Sequence, residues 1–259
     1  MTTGATFGDV AHAIPAALGN RYLKLADECD TCNGYFGKEV EPYLIRMLDI
    51  QRVFLGTQGR GSVDGRPLLE YPSGTLFHDG ERMVVTCASE MFSEIDGVMM
   101  ADLGAGPPII PDRCYRALVK IVLSVIAEDQ LPWLKDTIAW VRNGTRPADR
   151  PALLPQVATA TVDLPPNPSA QITLYERRLD DRILPHVVGE FRLGPYLYAF
   201  VVPFSAKDRD DLTGIFESAA FKYLFGHYAG VRNWKMQDLS GEAAIETPSI
   251  LRFVARDTP

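Results

Sequence analysis

The sequence predicts an α+β protein: a small N-terminal segment over residues 1–55, followed by a larger mixed helix and antiparallel-sheet region over residues 56–259. Two patterns predict it. Apolar residues recur at helical spacing in 35–54 and 111–128, while short alternating runs bounded by turn residues recur in 75–87 and 171–204. The composition, 46% hydrophobic and 23% charged, is that of an ordinary globular chain long enough to bury a proper core.

Taken in order, residues 1–34 are mixed and loop-rich. Phe36, Val40, Leu44, Met47 and Leu48 predict a helix over 35–54, with Pro42 either kinking it or marking its true start. The glycine-rich stretch 56–61 reads as a connector; it lacks the Lys-Ser/Thr of a phosphate-binding loop. Strands are expected over 75–78 and 82–87, joined at Asp79-Gly80. Tyr115, Leu118, Val119, Val122 and Ile126 predict a buried helix over 111–128, with Asp112 as its N-cap. A second helix over 132–142 opens on Pro132 and stops at Asn143-Gly144. The proline-rich residues 145–168 read as a surface connection. Strands follow over 171–177 and 187–204, the latter a pair turning at Gly194-Pro195, then a helix over 219–228 and a last strand over 250–254. Trp133, Trp140 and the aromatic residues of 196–204 are assigned to the core, and His78, His186 and His227 to structural roles.

No stretch reaches the roughly 18 apolar residues that a membrane span needs, so no membrane partner is expected. The first residues lack the basic and apolar regions of a signal peptide, so the expectation is a cytoplasmic protein. The net charge is −7, and residues 1–60 hold six Lys/Arg against seven Asp/Glu. Such a balance argues against coating nucleic acid by charge alone, because that affinity comes from neutralised phosphates. Of four cysteines, Cys29 and Cys32 are close in sequence, and a Cys-x-x-Cys pair in a reducing compartment points to metal or redox chemistry. Cys87 or Cys114 could join them only if the fold brings them near.

The chemistry concentrates in residues 9–44. Asp9-Val-Ala-His12-Ala-Ile-Pro15 is followed by Leu18-Gly-Asn20, then Asp27-Glu-Cys29-Asp-Thr-Cys32-Asn33-Gly-Tyr-Phe-Gly37 and Glu41. A metal-assisted phosphodiester cut needs a base near neutral pH, for which histidine suits, a divalent cation on the phosphate, and a frame holding both. A hairpin followed by a helix can provide that frame. These ordered motifs resemble the zinc-containing HNH endonucleases, and the resemblance covers about 36 residues. It implies a ββα-metal module over residues 1–55 that hydrolyses phosphodiester bonds, in DNA rather than RNA, in defence against foreign DNA. His12 would be the general base, Asn33 the ligand or orienter of a catalytic Mg²⁺ or Mn²⁺, and Asn20 a brace for the hairpin loop. Cys29 and Cys32 would form half of a structural zinc site. Residues 56–259 would supply target recognition, homo-oligomerisation or control.

Two positions depart from the family pattern. The eleven residues before His12 hold no cysteine, where the family places a second pair to complete the four ligands of structural zinc. The expectation is a lost pair or a start lying upstream. Ala11 stands where many members have a metal ligand, with Asp9 and Glu41 as substitutes. Each residue also has a plainer reading: Asn33 as a helix-capping amide, Glu41 as a solvated helix residue, and Cys29 and Cys32 as two reduced thiols at a helix start. These departures and the acidic charge support an alternative, a catalytically inactive HNH-derived interaction or regulatory protein.

Overall fold

The computed structural model describes residues 4–59, 67–148, 156–178, 184–208, 227–228 and 230–254. Strand β1 (Ala11–His12) pairs antiparallel with β2 (Lys24–Leu25), His12 standing opposite Lys24. A helical stretch follows in pieces: α1 (Asp30–Tyr35), a π-helical turn (Phe36–Val40), α2 (Glu41–Met47) and α3 (Asp49–Phe54). The single helix expected over 35–54 therefore starts earlier and is broken. Pro42 sits in the first turn of α2, where its missing N–H leaves no intrahelical bond unmade.

Two small antiparallel sheets come next. One is β3 (Leu68–Tyr71), β4 (Gly74–His78) and β5 (Met83–Cys87) in sequence order. The other joins β6 (Phe92–Ile95) and β7 (Val98–Ala105) to the C-terminal strand. Helix α4 (Pro111–Leu123) is the expected buried helix, with Tyr115, Leu118, Val119 and Val122 all in the core. Its N-cap is Ile110, without a side-chain bond. Asp112 lies inside the first turn, where it is buried and paired with Arg146 at 3.1 Å, so the capping role expected of Asp112 is corrected. Helix α5 (Lys135–Asn143) starts after a 3₁₀ stretch that contains Pro132, and ends as expected on Gly144, at φ +74°.

The main sheet has the order β12 (Arg232–Asp238), β8 (Gln156–Thr161), β11 (Tyr196–Val201), β10 (Val187–Leu193), β9 (Ala170–Glu176), all antiparallel. The last strand, β13 (Pro248–Val254), pairs with β7. Strand β8 is a correction to the surface connection expected over 145–168. Its Val157, Ala158 and Ala160 are buried, and β11 and β12 pair with it on either side. The helix expected over 219–228 lies almost wholly outside the described residues. Trp140 is in the core as expected, but Trp133 is 45% exposed, with the Lys207 ammonium 5.2 Å from its ring.

One face of the main sheet carries Phe191, Leu193, Tyr198 and Phe200 and meets α4. Gly189 permits the approach: a Cβ there would stand 2.8 Å from Val122 Cγ2. The same apolar cluster takes in Ile14, Leu18, Phe36, Val40 and Leu44, so residues from both sides of position 55 share one core. No helix among the described residues is long and apolar enough to cross a membrane.

His186 is fully buried at the edge of this core, its Nδ1 2.7 Å from Ser205 Oγ and its Nε2 3.2 Å from Gln130 Oε1. Burial first, then the nearby Lys207 and Arg177 charges, depress its pKa to about 4. The unfolded imidazole titrates near 6.5. The stability tied to the neutral ring is thus complete above 6.5 and drains as pH falls towards 4. The unfolding free energy should slope downward across that window, and the slope should flatten in His186→Gln; urea titrations at several pH values check this, and parallel curves for the two proteins would refute it.

Candidate functional site

The hairpin that carries His12 is braced from within. Asn20 Oδ1 accepts the backbone N–H groups of Tyr22 and Leu23, both at 3.1 Å, and Ala13 N donates to Leu23 O at 2.9 Å. Gly19 turns the loop at φ +85°, where a side chain would collide with the Pro168 carbonyl. Arg52 reaches back from α3 to the Ala17 carbonyl at 2.9 Å. Beyond the turn, Arg21 and Lys24 are exposed beside Tyr22, which is 92% exposed.

Asp30 ties the chain before the hairpin to the helix start. Its carboxylate accepts Gly8 N at 3.0 Å and Asp9 N at 2.8 Å; a side-chain bond from Thr6, and then these two, hold it below the usual carboxylate range. The N-cap of α1 is Cys29, not Asn33. Asn33 lies further along α1, and its N–H bonds the Cys29 carbonyl at 2.9 Å, so its amide is not the helix cap.

The hairpin, the residue before the helix, and α2 converge on one cation. Lys120 Nζ on α4 donates to the His12 carbonyl at 2.9 Å and contacts Glu28 Oε2 and Glu41 Oε1, each at 3.1 Å, with the Phe36 ring 5.6 Å away. The Lys120 side chain is 4% exposed. Glu41 is therefore an ion-pair partner, not the solvated helix residue that its sequence position allowed. Burial raises the Glu28 carboxyl above its usual range against the pull of Lys120, and Glu28 Oε1 is buried with no hydrogen-bond partner. One turn back on α4, Arg116 donates to the Val141 carbonyl at 2.7 Å and the Tyr35 hydroxyl at 2.7 Å, joining α4 to α5 and α1.

Cys29 and Cys32 border a cavity of about 850 Å³ that is also lined by Phe7, Leu25, Glu28, Lys120, Leu131, Ile138 and Arg142. The backbone N–H of Cys32, then its thiol, hold the Cys29 thiol below its ordinary value, whereas burial pushes Cys32 up. Cys87 lies on β5, and Cys114 is buried on α4. Among the described residues, no group of three or more His, Cys, Asp or Glu side chains is arranged to hold a metal ion. A second cavity, of about 420 Å³, has Arg46, Asp49, Tyr71 and Ser249 in its walls and none of the sequence-predicted residues. Asp49 there is pushed to about 6 by burial, with Arg52, at 2.7 Å, opposing.

The residues that sequence reasoning missed are Lys120, Arg116 and Glu28. For the two cations the signal is present: Asp112, Arg116 and Lys120 are spaced by four, a polar stripe along a helix otherwise apolar enough to be buried. Comparisons of the chain with protein-family models, with curated proteins and with solved structures found no match in any of the three.

Replacing Lys120 by Met should leave Glu28 and Glu41 facing one another without a cation and cost about 3 kcal/mol. Denaturant unfolding measures this. A loss below roughly 1 kcal/mol, the range of an exposed pair, would show that the ammonium is not the anchor of the hairpin.

Proposed function

We propose that this protein is an HNH-type endonuclease acting in the cytoplasm, which hydrolyses phosphodiester bonds of DNA with His12 as general base. The observation that carries the reading is the arrangement of residues 9–33. An antiparallel pair with His12 on its first strand leads directly into the helix that bears Cys29, Cys32 and Asn33, and Asp30 laces Gly8 and Asp9 onto that helix's first turn. His12 takes a proton from water, the resulting hydroxide attacks phosphorus, and the sugar oxygen leaves. A base carried on a braced strand has less freedom to lose when it reacts.

A divalent cation would be held by oxygen donors. Glu41 is committed to Lys120, which leaves the Asn33 amide and the exposed Asp9, whose backbone is fastened to the first turn of the same helix. When bound, such an ion stabilises charge on the phosphate. Arg21 and Lys24 on the hairpin suit contact with the phosphate backbone, and Tyr22 suits stacking on a base.

A second reading, a catalytically inactive interaction protein, is favoured by one observation. The cation at the centre of this segment is the chain's own Lys120, bound by both nearby glutamates. Plasmid DNA incubated with the purified protein and Mg²⁺ or Mn²⁺ separates the two. The nuclease reading expects metal-dependent nicking or linearisation that falls at least a hundredfold in His12→Ala, on the order of a lost general base. Equal cleavage by the variant, or none with any metal, would leave the interaction reading standing.

A further inference from the structure

The cavity of about 420 Å³ lies where three parts of the chain meet: the junction of α2 and α3, the segment between β7 and α4, and the chain from the end of β12 to the start of β13. The last two are pinned to each other. Ile109 and Ile245 exchange backbone bonds at 2.9 and 2.8 Å, and Gly106 N donates to the Thr247 carbonyl at 3.2 Å. Gly106 permits the close approach: a Cβ there would stand 3.3 Å from Tyr71 Cε1 and 3.5 Å from Ser249 Oγ. The volume is within the range of small-molecule sites, roughly 300–1,000 Å³, and such sites favour junctions between parts of a fold.

Two opposite charges in the walls are only partly met. Asp49 is buried, and Arg52 donates to its Oδ1 at 2.7 Å, while no described residue donates to Oδ2. Burial outweighs Arg52 and holds this carboxyl up at about 6, so one cation does not offset its desolvation. Three residues earlier, Arg46 is exposed. The Pro108 carbonyl accepts from its Nη1 at 3.2 Å, and its Cζ lies 5.4 Å from the centre of the Tyr43 ring. No carboxylate among the described residues pairs with it, and a guanidinium held this way has donors to spare. The remaining wall is largely apolar, with Met47, Ile50, Ile109, Leu239 and Ile245.

We infer that this cavity binds a free α-amino acid with an apolar side chain, its ammonium on Asp49 Oδ2 and its carboxylate on Arg46. An ammonium has three N–H donors, and Asp49 Oδ2 with the hydroxyl oxygens of Tyr71 and Ser249 supplies three acceptors in the same walls. A carboxylate matches the planar fork of a guanidinium. The two wall charges stand three residues apart at one helix junction, which suits ligand charges carried on a single carbon. The apolar wall receives the side chain. The site goes beyond the nuclease reading: it contains none of His12, Asp9 or Asn33, and its occupancy is read without any cleavage of DNA.

Calorimetric titration of the full-length protein with valine, leucine, isoleucine and methionine tests this. The tightest binder of the four is then compared with the amine that lacks its carboxylate and the acid that lacks its ammonium. The amino acid should bind one-for-one, and more tightly than either analogue by about tenfold or more, the worth of one charged hydrogen bond. Arg46→Met, a change on an exposed side chain, should bring the amino acid down to the affinity of its amine and leave the amine unchanged. Asp49→Asn should weaken the amino acid and the amine alike. Because Asp49 also pairs with Arg52, Ile245→Trp is the companion variant. It fills the cavity from a wall residue that is 47% exposed, leaves that pair intact, and should abolish binding. No heat from any of the four at millimolar concentration would overturn the assignment. So would equal affinity for the amino acid and its amine, or undiminished binding in Arg46→Met or Ile245→Trp.

Discussion

One buried ammonium organises the N-terminal third of this molecule. Lys120 belongs to α4, in the middle of the chain, yet its partners are the carbonyl of His12 and the carboxylates of Glu28 and Glu41. Burying a lysine is tolerable only when its donors are satisfied and its charge is met. Here the donors go to three different pieces of the same segment, so the hairpin, the residue before α1, and α2 hold fixed positions relative to one another. Arg116 repeats the arrangement one turn away with Tyr35 and Val141. The apolar side chains around this stripe supply most of the burial, and the stripe sets how the pieces are aligned.

The same node bears on the chemistry proposed for the segment. It fixes the backbone of the proposed base, His12, and holds Glu41 in an ion pair. It also leaves Glu28 with one oxygen paired to Lys120 and the other, Oε1, buried without a hydrogen-bond partner.

Much of the architecture was legible where local patterns decide it. The apolar stripe of α4, the Gly144 stop of α5 and the turn at Gly194-Pro195 all lie where residue type and spacing place them. Asn20 was legible too, as a brace for the hairpin loop. The failures share a cause: they depend on partners distant in sequence. Strand β8 is hidden among prolines, and its alanines and threonines become a strand only because β11 and β12 flank it. The π-helical turn before Pro42 has no marker beyond the proline itself. Lys120 lies in a run of otherwise apolar residues, and nothing near it in sequence announces the two glutamates about 80 and 90 positions earlier. Asn33 looked like a cap because asparagine favours that place, but Cys29 holds it.

The polar stripe on α4 also has a consequence for how the chain comes to exist. Synthesis delivers residues 5–55 first, and at that moment Ile14, Leu18, Phe36, Val40 and Leu44 have no α4 to cover them, while Glu28 and Glu41 have no ammonium. That stretch must wait, part-formed and apolar, until the ribosome has released residues beyond 123, so its assembly is a long-range closure late in folding. Cut away from the remainder, it would expose that apolar face, making it a poor candidate for transfer as an independent cassette.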